Sequence, residues 1–257
     1  MKASEKQGFT LVELLVVIGI IGILSAALFP AISGAMTKAK MTAVSARGRD
    51  IFVAITGANT EREPLGLGNV WPRTVAPAGA TSSGGTVDIG YEAFDNSCDY
   101  FYKLNDGENL GTTDWSPYVV GFDFGKLAGA GIPAHSGQEQ LKEANCMWTI
   151  AGNVRDEMED IIPILVTRNL PGTSLYSDMS GLPPADKMKL GSVFDSPFGN
   201  KGAVIIRKGG GSFNVRAMYA TPLVVYNSQS FMTTVEGADN QLLTYLSPNG
   251  VETPGKQ

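Results

Sequence analysis

The hydrophobic pattern of the chain is dominated by one uncharged stretch of 23 residues, from Leu14 to Met36. At about 1.5 Å per residue, a helix of that length reaches roughly 34 Å, enough to cross the hydrocarbon core of a membrane. Inside lipid the backbone must satisfy its own hydrogen bonds, so the stretch is predicted to be helical despite its many β-branched residues. Pro30 lies well inside it and is expected to remove one hydrogen bond and to kink or loosen the helix.

Apolar residues continue at helical spacing beyond this stretch. Steps of three and four residues mark one face of a helix that is expected to end near Gly57. That face holds Met41, Val44, Gly48, Ile51, Phe52 and Ile55, whereas Lys38, Lys40, Arg47, Arg49 and Asp50 lie mostly on the other side. The small residues Ser45, Ala46 and Gly48 permit close approach of a neighbour, and packing on the protein's own core is the simpler explanation for them.

The rest of the chain predicts a head of roughly 200 residues, large enough for a hydrophobic core of its own. A Pro/Gly-rich connection over 61–90 precedes a second helix over 91–104. The apolar side of that helix is formed by Phe94, Cys98, Phe101, Tyr102 and Leu104. Trp71 is expected to pin the connection to the head.

Short alternating or apolar runs predict strands in the head, with an acidic helical turn over 156–162 between two of them. The strands are expected over 118–124, 147–151, 164–167, 202–208 and 212–220, and the last two form a hairpin through the triglycine turn 209–211. Residues 223–226 extend or follow this hairpin. The polar tail from Ser247 is expected to fray. The predicted fold class is therefore α+β: a long N-terminal helix, half transmembrane and half amphipathic, packed on a small antiparallel sheet.

Composition and motif content exclude several function classes. The formal net charge of −5 gives no general attraction for nucleic acid or anionic lipid. The single histidine, His135, lies beside Ser136 in a Gly/Pro-rich loop and forms no recognisable catalytic dyad. Nucleophile-elbow, phosphate-loop and zinc-protease motifs are absent from the sequence, so no enzymatic activity is predicted.

Glu13 is the anomaly, because it is an acidic residue at the front edge of the apolar stretch. A carboxylate at the bilayer centre costs about 2.5–3.5 kcal/mol, and less near the edge. One interpretation is that Glu13 simply reaches the interface. The other is that it is kept for a partner charge, which in an apolar surrounding would be worth far more than in water.

The segment Gly8-Phe9-Thr10-Leu11-Val12-Glu13 resembles the cleavage and methylation motif of type IV pilins and type II secretion pseudopilins. The resemblance rests on a short basic leader, Gly8 before the cut, Phe9 after it and Glu13 at the fifth mature position, with Pro30 where that family commonly has a helix-loosening proline. It covers about the first 50 residues well and the rest loosely.

The resemblance implies a domain organisation and a set of partners. Residues 1–8 would be a leader removed by a prepilin peptidase and methyltransferase, which N-methylates Phe9. Residues 9–57 would form the helix, with a transmembrane segment at about 14–36, and residues 58–257 the extracytoplasmic head. The subunit would sit in the inner membrane with its head in the periplasm, and an assembly platform would draw it into a filament with other pilin or pseudopilin subunits. Glu13 of one subunit would then pair with the Phe9 amine of the next.

Three alternatives stay open from the sequence. Ser25-Ala26-Ala27 could end an ordinary secretory signal, or the stretch could be a plain membrane anchor. The head could instead be a membrane-anchored module that binds a glycan or a protein. Counting basic residues on the two sides of the stretch does not by itself give the leader-inside orientation.

Two features of the head raise the question of cross-links and metals. Cys98 and Cys146 can pair in an extracytoplasmic head, and two buried thiols are the alternative. The segment from Asp195 to Asn200 is similar to a loop near the sheet of major pseudopilins, where the family can hold calcium. Turn-forming residues dominate that segment, so a simple turn is favoured, and no metal ligands or cofactors are predicted.

Overall fold

The computed structural model describes residues 10–75, 89–106, 141–175, 190–191, 193–216 and 243–252. The predicted strands over 118–124 and 223–226, and His135 with its neighbours, lie outside these ranges. So do residues 217–220, the end of the strand predicted over 212–220. The chain divides into two units, Met1–Lys40 and Met41–Gln257.

Helix α1 runs from Leu11 to Arg62, a length of 52 residues. It therefore continues five residues beyond the end predicted at Gly57. The reason is tertiary: Ala58 and Arg62 are buried after the glycine, so packing outweighs the weak helix propensity of Gly57. A short 3-10 turn, Glu63–Leu65, follows, and Gly66 closes it in the left-handed region with φ of 69°.

The described part of the first unit, from Thr10 onward, exposes nearly all of its surface. Every described residue from Thr10 to Lys40 is exposed except Thr37, which is half-buried. The large apolar side chains of the uncharged stretch are among them, so in the isolated chain this part of α1 has no core to pack on.

The second unit contains a six-stranded antiparallel sheet, with the strand order β4-β3-β2-β1-β5-β6. The strands are β1 (Trp148–Gly152), β2 (Pro163–Thr167), β3 (Gly202–Arg207), β4 (Ser212–Arg216), β5 (Thr244–Ser247) and β6 (Gly250–Glu252). Strands β1 and β2 are buried at every position, as continuous apolar runs at the sheet centre require. The predicted α+β class is thus confirmed, with a long N-terminal helix and an antiparallel sheet.

The central strands and the triglycine hairpin match their predictions closely, but two other predictions are wrong. The acidic stretch 156–162 forms turns rather than a helical segment. The tail from Ser247 does not fray at once, because β5 and β6 form a tight hairpin there, with Leu246 opposite Val251. The Ser247 hydroxyl donates to the Gly250 carbonyl at 3.0 Å and fixes this turn.

Helix α2 spans Ser97–Asp106 and so begins six residues later than predicted. Its start is set by Asn96, whose side-chain oxygen accepts a hydrogen bond from the Asp99 amide at 2.8 Å. The Asn96 side-chain amide in turn donates to the Asp99 carboxylate at 2.7 Å. Asn96 is therefore the N-cap, and the residues before it form a 3-10 turn, Ile89–Tyr91, instead of helix.

The core of the head lies between the second half of α1 and the sheet. The predicted apolar face of α1 is buried, apart from Phe52, which is partly buried. Gly48 allows the closest approach: a Cβ there would lie 2.7 Å from the Trp148 ring and 2.8 Å from the Ile206 side chain. Ser45 is buried on the same face, whereas Ala46 is exposed.

Candidate functional site

The first turn of α1 is closed by a reciprocal pair of hydrogen bonds between Thr10 and Glu13. The Glu13 amide donates to the Thr10 hydroxyl oxygen at 3.3 Å, and the Thr10 amide donates to the Glu13 carboxylate at 2.8 Å. The Thr10 hydroxyl also donates to that carboxylate at 2.7 Å. This is a capping box, with threonine as the N-cap and glutamate three residues later. Glu13 thus has a structural role at the helix start that the sequence analysis missed, although the Thr-x-x-Glu spacing was its signal.

Gly8 and Phe9, the residues assigned to cleavage and methylation, lie outside the described residues, and their roles stay predictions. Thr10, the first described residue, directly follows Phe9. The capping box therefore holds the Glu13 carboxylate on the amide of the residue next to the predicted new N-terminus.

Helix α1 is long and apolar enough to cross a membrane, by length and composition. Pro30 lies in its interior, and the helix continues on both sides of it. Proline has no amide hydrogen, so one backbone carbonyl of the preceding turn loses its usual donor. The predicted role of Pro30 in filament assembly stays a prediction.

Cys98 on α2 and Cys146 before β1 are both buried and are brought together as free thiols. Their side chains lie within hydrogen-bonding contact, and this contact, together with burial, raises the pKa of the Cys98 thiol well above its usual range. The hydroxyl of Ser97 lies 3.7 Å from the Cys146 sulfur and donates to the Trp148 carbonyl at 2.8 Å. The structure thus joins two residues whose proximity the sequence could suggest only as one option.

The segment over 195–200 forms a series of turns around a cis bond between Ser196 and Pro197. Buried Arg168 donates to the Ser196 carbonyl at 3.2 Å and to its hydroxyl at 2.6 Å, and Asn169 donates to the Gly199 carbonyl at 2.9 Å. Several oxygens of the segment are therefore already hydrogen-bonded. Within the described ranges, no group of three or more His, Cys, Asp and Glu side chains is placed to hold a metal. A calcium site at Asp195 and Asn200 stays an untested alternative to the favoured simple turn.

A cleft of about 460 Å³ opens in the second unit beside the last turns of α1. Its described walls come from α1, from the loop that follows it and from turns beside β2 and β3: Phe52, Thr56, Asn59, Thr60, Glu63, Gly66, Leu67, Asn69, Trp71, Asp156 and Lys208. No spacing in the sequence predicts this cleft, because it joins residues a hundred or more positions apart.

Comparison with known proteins identifies a known motif in the N-terminal segment. The family description "Prokaryotic N-terminal methylation motif" matches residues 4–29. The chain is 36% identical over 99 residues to "Fimbrial protein Q" of Moraxella bovis, an alignment that covers 35% of this chain and 63% of that protein. The chain thus spans less than two thirds of this relative's length. No solved structure matches.

The matched motif contains Gly8, Phe9, Thr10 and Glu13, and it continues through most of the apolar stretch. The long N-terminal helix and the antiparallel sheet that follows it agree with the fold that the resemblance implied. The chain carries the N-terminal methylation motif and is similar to a fimbrial protein, so the predicted resemblance to the type IV pilin family is confirmed.

Proposed function

We propose that the chain is a structural subunit of a type IV pilus or a type II secretion pseudopilus. In this proposal a prepilin peptidase removes residues 1–8, the new N-terminus at Phe9 is methylated, and the subunit waits in the inner membrane with its head outside the cytoplasm. An assembly platform then draws it into a helical filament with other subunits. Its mechanism is mechanical rather than catalytic.

The observation that carries this proposal is the continuity of the methylation motif with α1. Residues 4–29 match the motif, and the helix that begins within it is exposed and uncharged from Leu14 to Met36. Burying such a surface is favourable by about 25 cal/mol per Å² of apolar area, so it needs lipid before assembly and neighbouring helices afterwards. A subunit that moves from membrane to filament satisfies both conditions.

Glu13 would serve twice in this cycle. Before cleavage it closes the capping box with Thr10. After cleavage it would face a new α-amino group at Phe9, four residues or about 6 Å of helix away. Subunits staggered along a common axis would pair Glu13 of one with the amine of the next, where the apolar surrounding strengthens the attraction.

Intact-mass measurement and N-terminal sequencing of the protein purified from membranes test the proposal directly. The expected product begins at N-methylated Phe9 and co-sediments as a polymer. A chain that begins near Leu28 would indicate an ordinary secreted protein instead. An uncut chain that does not polymerise would indicate a plain anchor and would overturn the filament proposal.

A further inference from the structure

The cleft beside the end of α1 has a size typical of binding sites. Its volume of about 460 Å³ falls within the roughly 300–1,000 Å³ of ligand pockets. Such a space admits long side chains but not a second helix backbone. The chemistry of its walls indicates which side chain fits.

Several polar groups of the cleft accept hydrogen bonds. The Thr56 hydroxyl donates to the Phe52 carbonyl, and the Thr60 hydroxyl donates to the Thr56 carbonyl at 3.0 Å, so both hydroxyls leave their oxygen lone pairs for a ligand. Glu63 and Asp156 are exposed carboxylates, which only accept when ionised. The two carboxylates and these hydroxyl oxygens therefore favour a cationic ligand with several donors.

Lys208 is the cationic residue among the described lining residues, and it is already engaged. Its ammonium donates to the Asp156 carbonyl at 2.7 Å and lies 3.8 Å from the Asp160 carboxylate. Neither of these contacts involves Glu63 or the Asp156 carboxylate. The cleft therefore keeps an acidic character despite this lysine.

An aromatic pair completes the cleft. Phe52 and Trp71 stack with their ring centroids 6.4 Å apart, and both line the space. A guanidinium has five donors and no acceptor, and it stacks on aromatic faces. The head uses this contact elsewhere, since the Arg168 guanidinium lies 4.7 Å from the Phe194 ring centroid and that of Arg207 lies 3.7 Å from the Phe213 ring centroid. An arginine side chain satisfies both the acceptors and the rings.

Two arginines are candidates on this chain. Among the arginines whose burial the structure describes, only Arg47 and Arg49 are exposed, and both lie on α1. Arg47 precedes Thr56 by nine residues, or two and a half helical turns, so it points to the side of α1 opposite the cleft. Arg49 precedes Thr56 by seven residues, close to two full turns, and so lies on the same side as the cleft.

We propose that the cleft receives the Arg47 side chain of a second copy of this chain, an inference that rests on the proposed filament function. Two parallel copies that stand side by side present opposite sides of α1 to each other, which brings Arg47 of one against the cleft of the other. The axial shift is the distance from Arg47 to Thr56, about 14 Å of helix. Arg47 and the cleft are different surfaces, so the contact between copies is head-to-tail. Because each copy is also shifted along the axis, the contact repeats without closing, as a filament requires.

A charge-reversal series on the full chain, in cells that carry its processing and assembly proteins, tests this contact. Arg47→Glu should lower the amount of sedimentable filament at least about tenfold, because it sets a carboxylate against the carboxylates of the cleft. Arg49→Glu is the matched control, with the same chemistry two residues away, and should change the amount less than about twofold. Glu63→Arg should also disrupt assembly, and the double variant Arg47→Glu with Glu63→Arg should restore it.

Cross-linking gives a second measurement that does not depend on charge. The pair Arg47→Cys with Thr60→Cys should form a ladder of disulfide-linked copies under mild oxidation, whereas Arg49→Cys with Thr60→Cys should not. If the unmodified chain is processed and forms filaments but the two arginine positions behave alike, the contact proposed here is overturned and the filament function stands. If the unmodified chain forms no filament at all, the proposed function fails first.

Discussion

Gly48, in the half of α1 after Lys40, has surroundings unlike those of Gly19 and Gly22 in the half before it. A Cβ placed on Gly19 or Gly22, in the first half, would have no heavy atom within 4 Å. A Cβ placed on Gly48, in the second half, would collide with Trp148 and Ile206. Gly19 and Gly22 thus face open space, whereas Gly48 makes a close helix-to-sheet contact.

Apolar side chains follow the same division. Phe29 in the first half is 75% exposed, whereas Ile51 and Ile55 in the second half are completely buried. The second half of the helix finds its partners inside the chain, and the first half must find them outside it, in lipid or in neighbouring subunits. Substitutions of the apolar residues in the first half should therefore change assembly, and substitutions of the buried residues in the second half should change the stability of the head.

Glu13→Gln is expected to give the largest effect on assembly. Glutamine can replace glutamate at the third helical position of a capping box, so the helix start is retained while the charge is removed. If Glu13 pairs with the Phe9 amine, the yield of filament should fall at least about tenfold, since a buried amine would lose its partner charge. Cleavage after Gly8 should continue, and the free energy of unfolding of the head should not change.

Thr10→Ala is the matched control for that experiment. It removes the capping hydroxyl, at a cost of about 0.5–2 kcal/mol to the helix start, and keeps the carboxylate. Filament yield should be largely retained in this variant. Normal assembly of Glu13→Gln together with failed assembly of Thr10→Ala would mean that Glu13 acts through the cap and not through its charge.

The cysteine pair should give the largest effect on the head. In an oxidising compartment, the neighbouring thiols of Cys98 and Cys146 are expected to lose two protons and two electrons to a thiol–disulfide oxidant and form a bridge. Reduction of the purified chain should then lower the free energy of unfolding by about 2–5 kcal/mol. Mass spectrometry of the unfolded chain should find no thiol to alkylate until a reductant is added.

A double variant separates the bridge from simple packing. Cys98→Ser with Cys146→Ser leaves the chain without thiols. The free energy of unfolding of this variant should therefore not change when a reductant is added. If the natural chain is equally insensitive and both thiols are alkylated without reduction, the bridge does not form and the pair is a buried thiol contact.

Local signals in the sequence carried most of what could be predicted about the fold. The apolar face of α1, the two central strands and the triglycine hairpin follow from short-range periodicity and turn chemistry, and the structure confirms them. The late start of α2 was equally local, since Asn96 and Asp99 form its cap, but the apolar residue Phe94 suggested an earlier start. Strand β5 gives no sequence signal, because four residues are too few to show a period. The polar residues after it indicate a frayed tail, although Asn249-Gly250 is also a typical hairpin turn.

The candidate sites differ in the same way: some depend on residues close in sequence and others on residues far apart in sequence. The motif around Glu13 is contiguous, so the sequence alone identified it. The cleft depends on Thr56, Asp156 and Lys208 meeting in space, and the contact of Cys98 with Cys146 depends on how α2 packs on β1. The spacing of residues in a single sequence does not predict such long-range contacts, because tertiary packing determines them.

Gly48→Ala should destabilise the head by about 1–3 kcal/mol, because the added methyl group overpacks the contact with Trp148 and Ile206. Gly57→Ala is the matched control on the same helix, where a Cβ would meet nothing within 4 Å. Alanine should stabilise that helical position by about 0.5–1 kcal/mol. Urea unfolding of both variants in detergent measures the difference, and equal effects would mean that α1 does not approach the sheet closely at Gly48.

Asn96→Ala should have the smallest effect, a loss of about 0.5–2 kcal/mol in the free energy of unfolding, because the Asp99 amide loses its acceptor at the start of α2. Asn96→Asp keeps an acceptor at that position but sets a second carboxylate beside Asp99, so it should recover only part of the loss. Because α2 carries Cys98, a loosened helix start should also speed alkylation of that thiol in the reduced chain. Filament yield should stay unchanged, since the variant alters only contacts inside the head. A fall in yield without a fall in stability would show that α2 also contacts a neighbouring subunit, and the division between the two halves of α1 would then not describe the whole molecule.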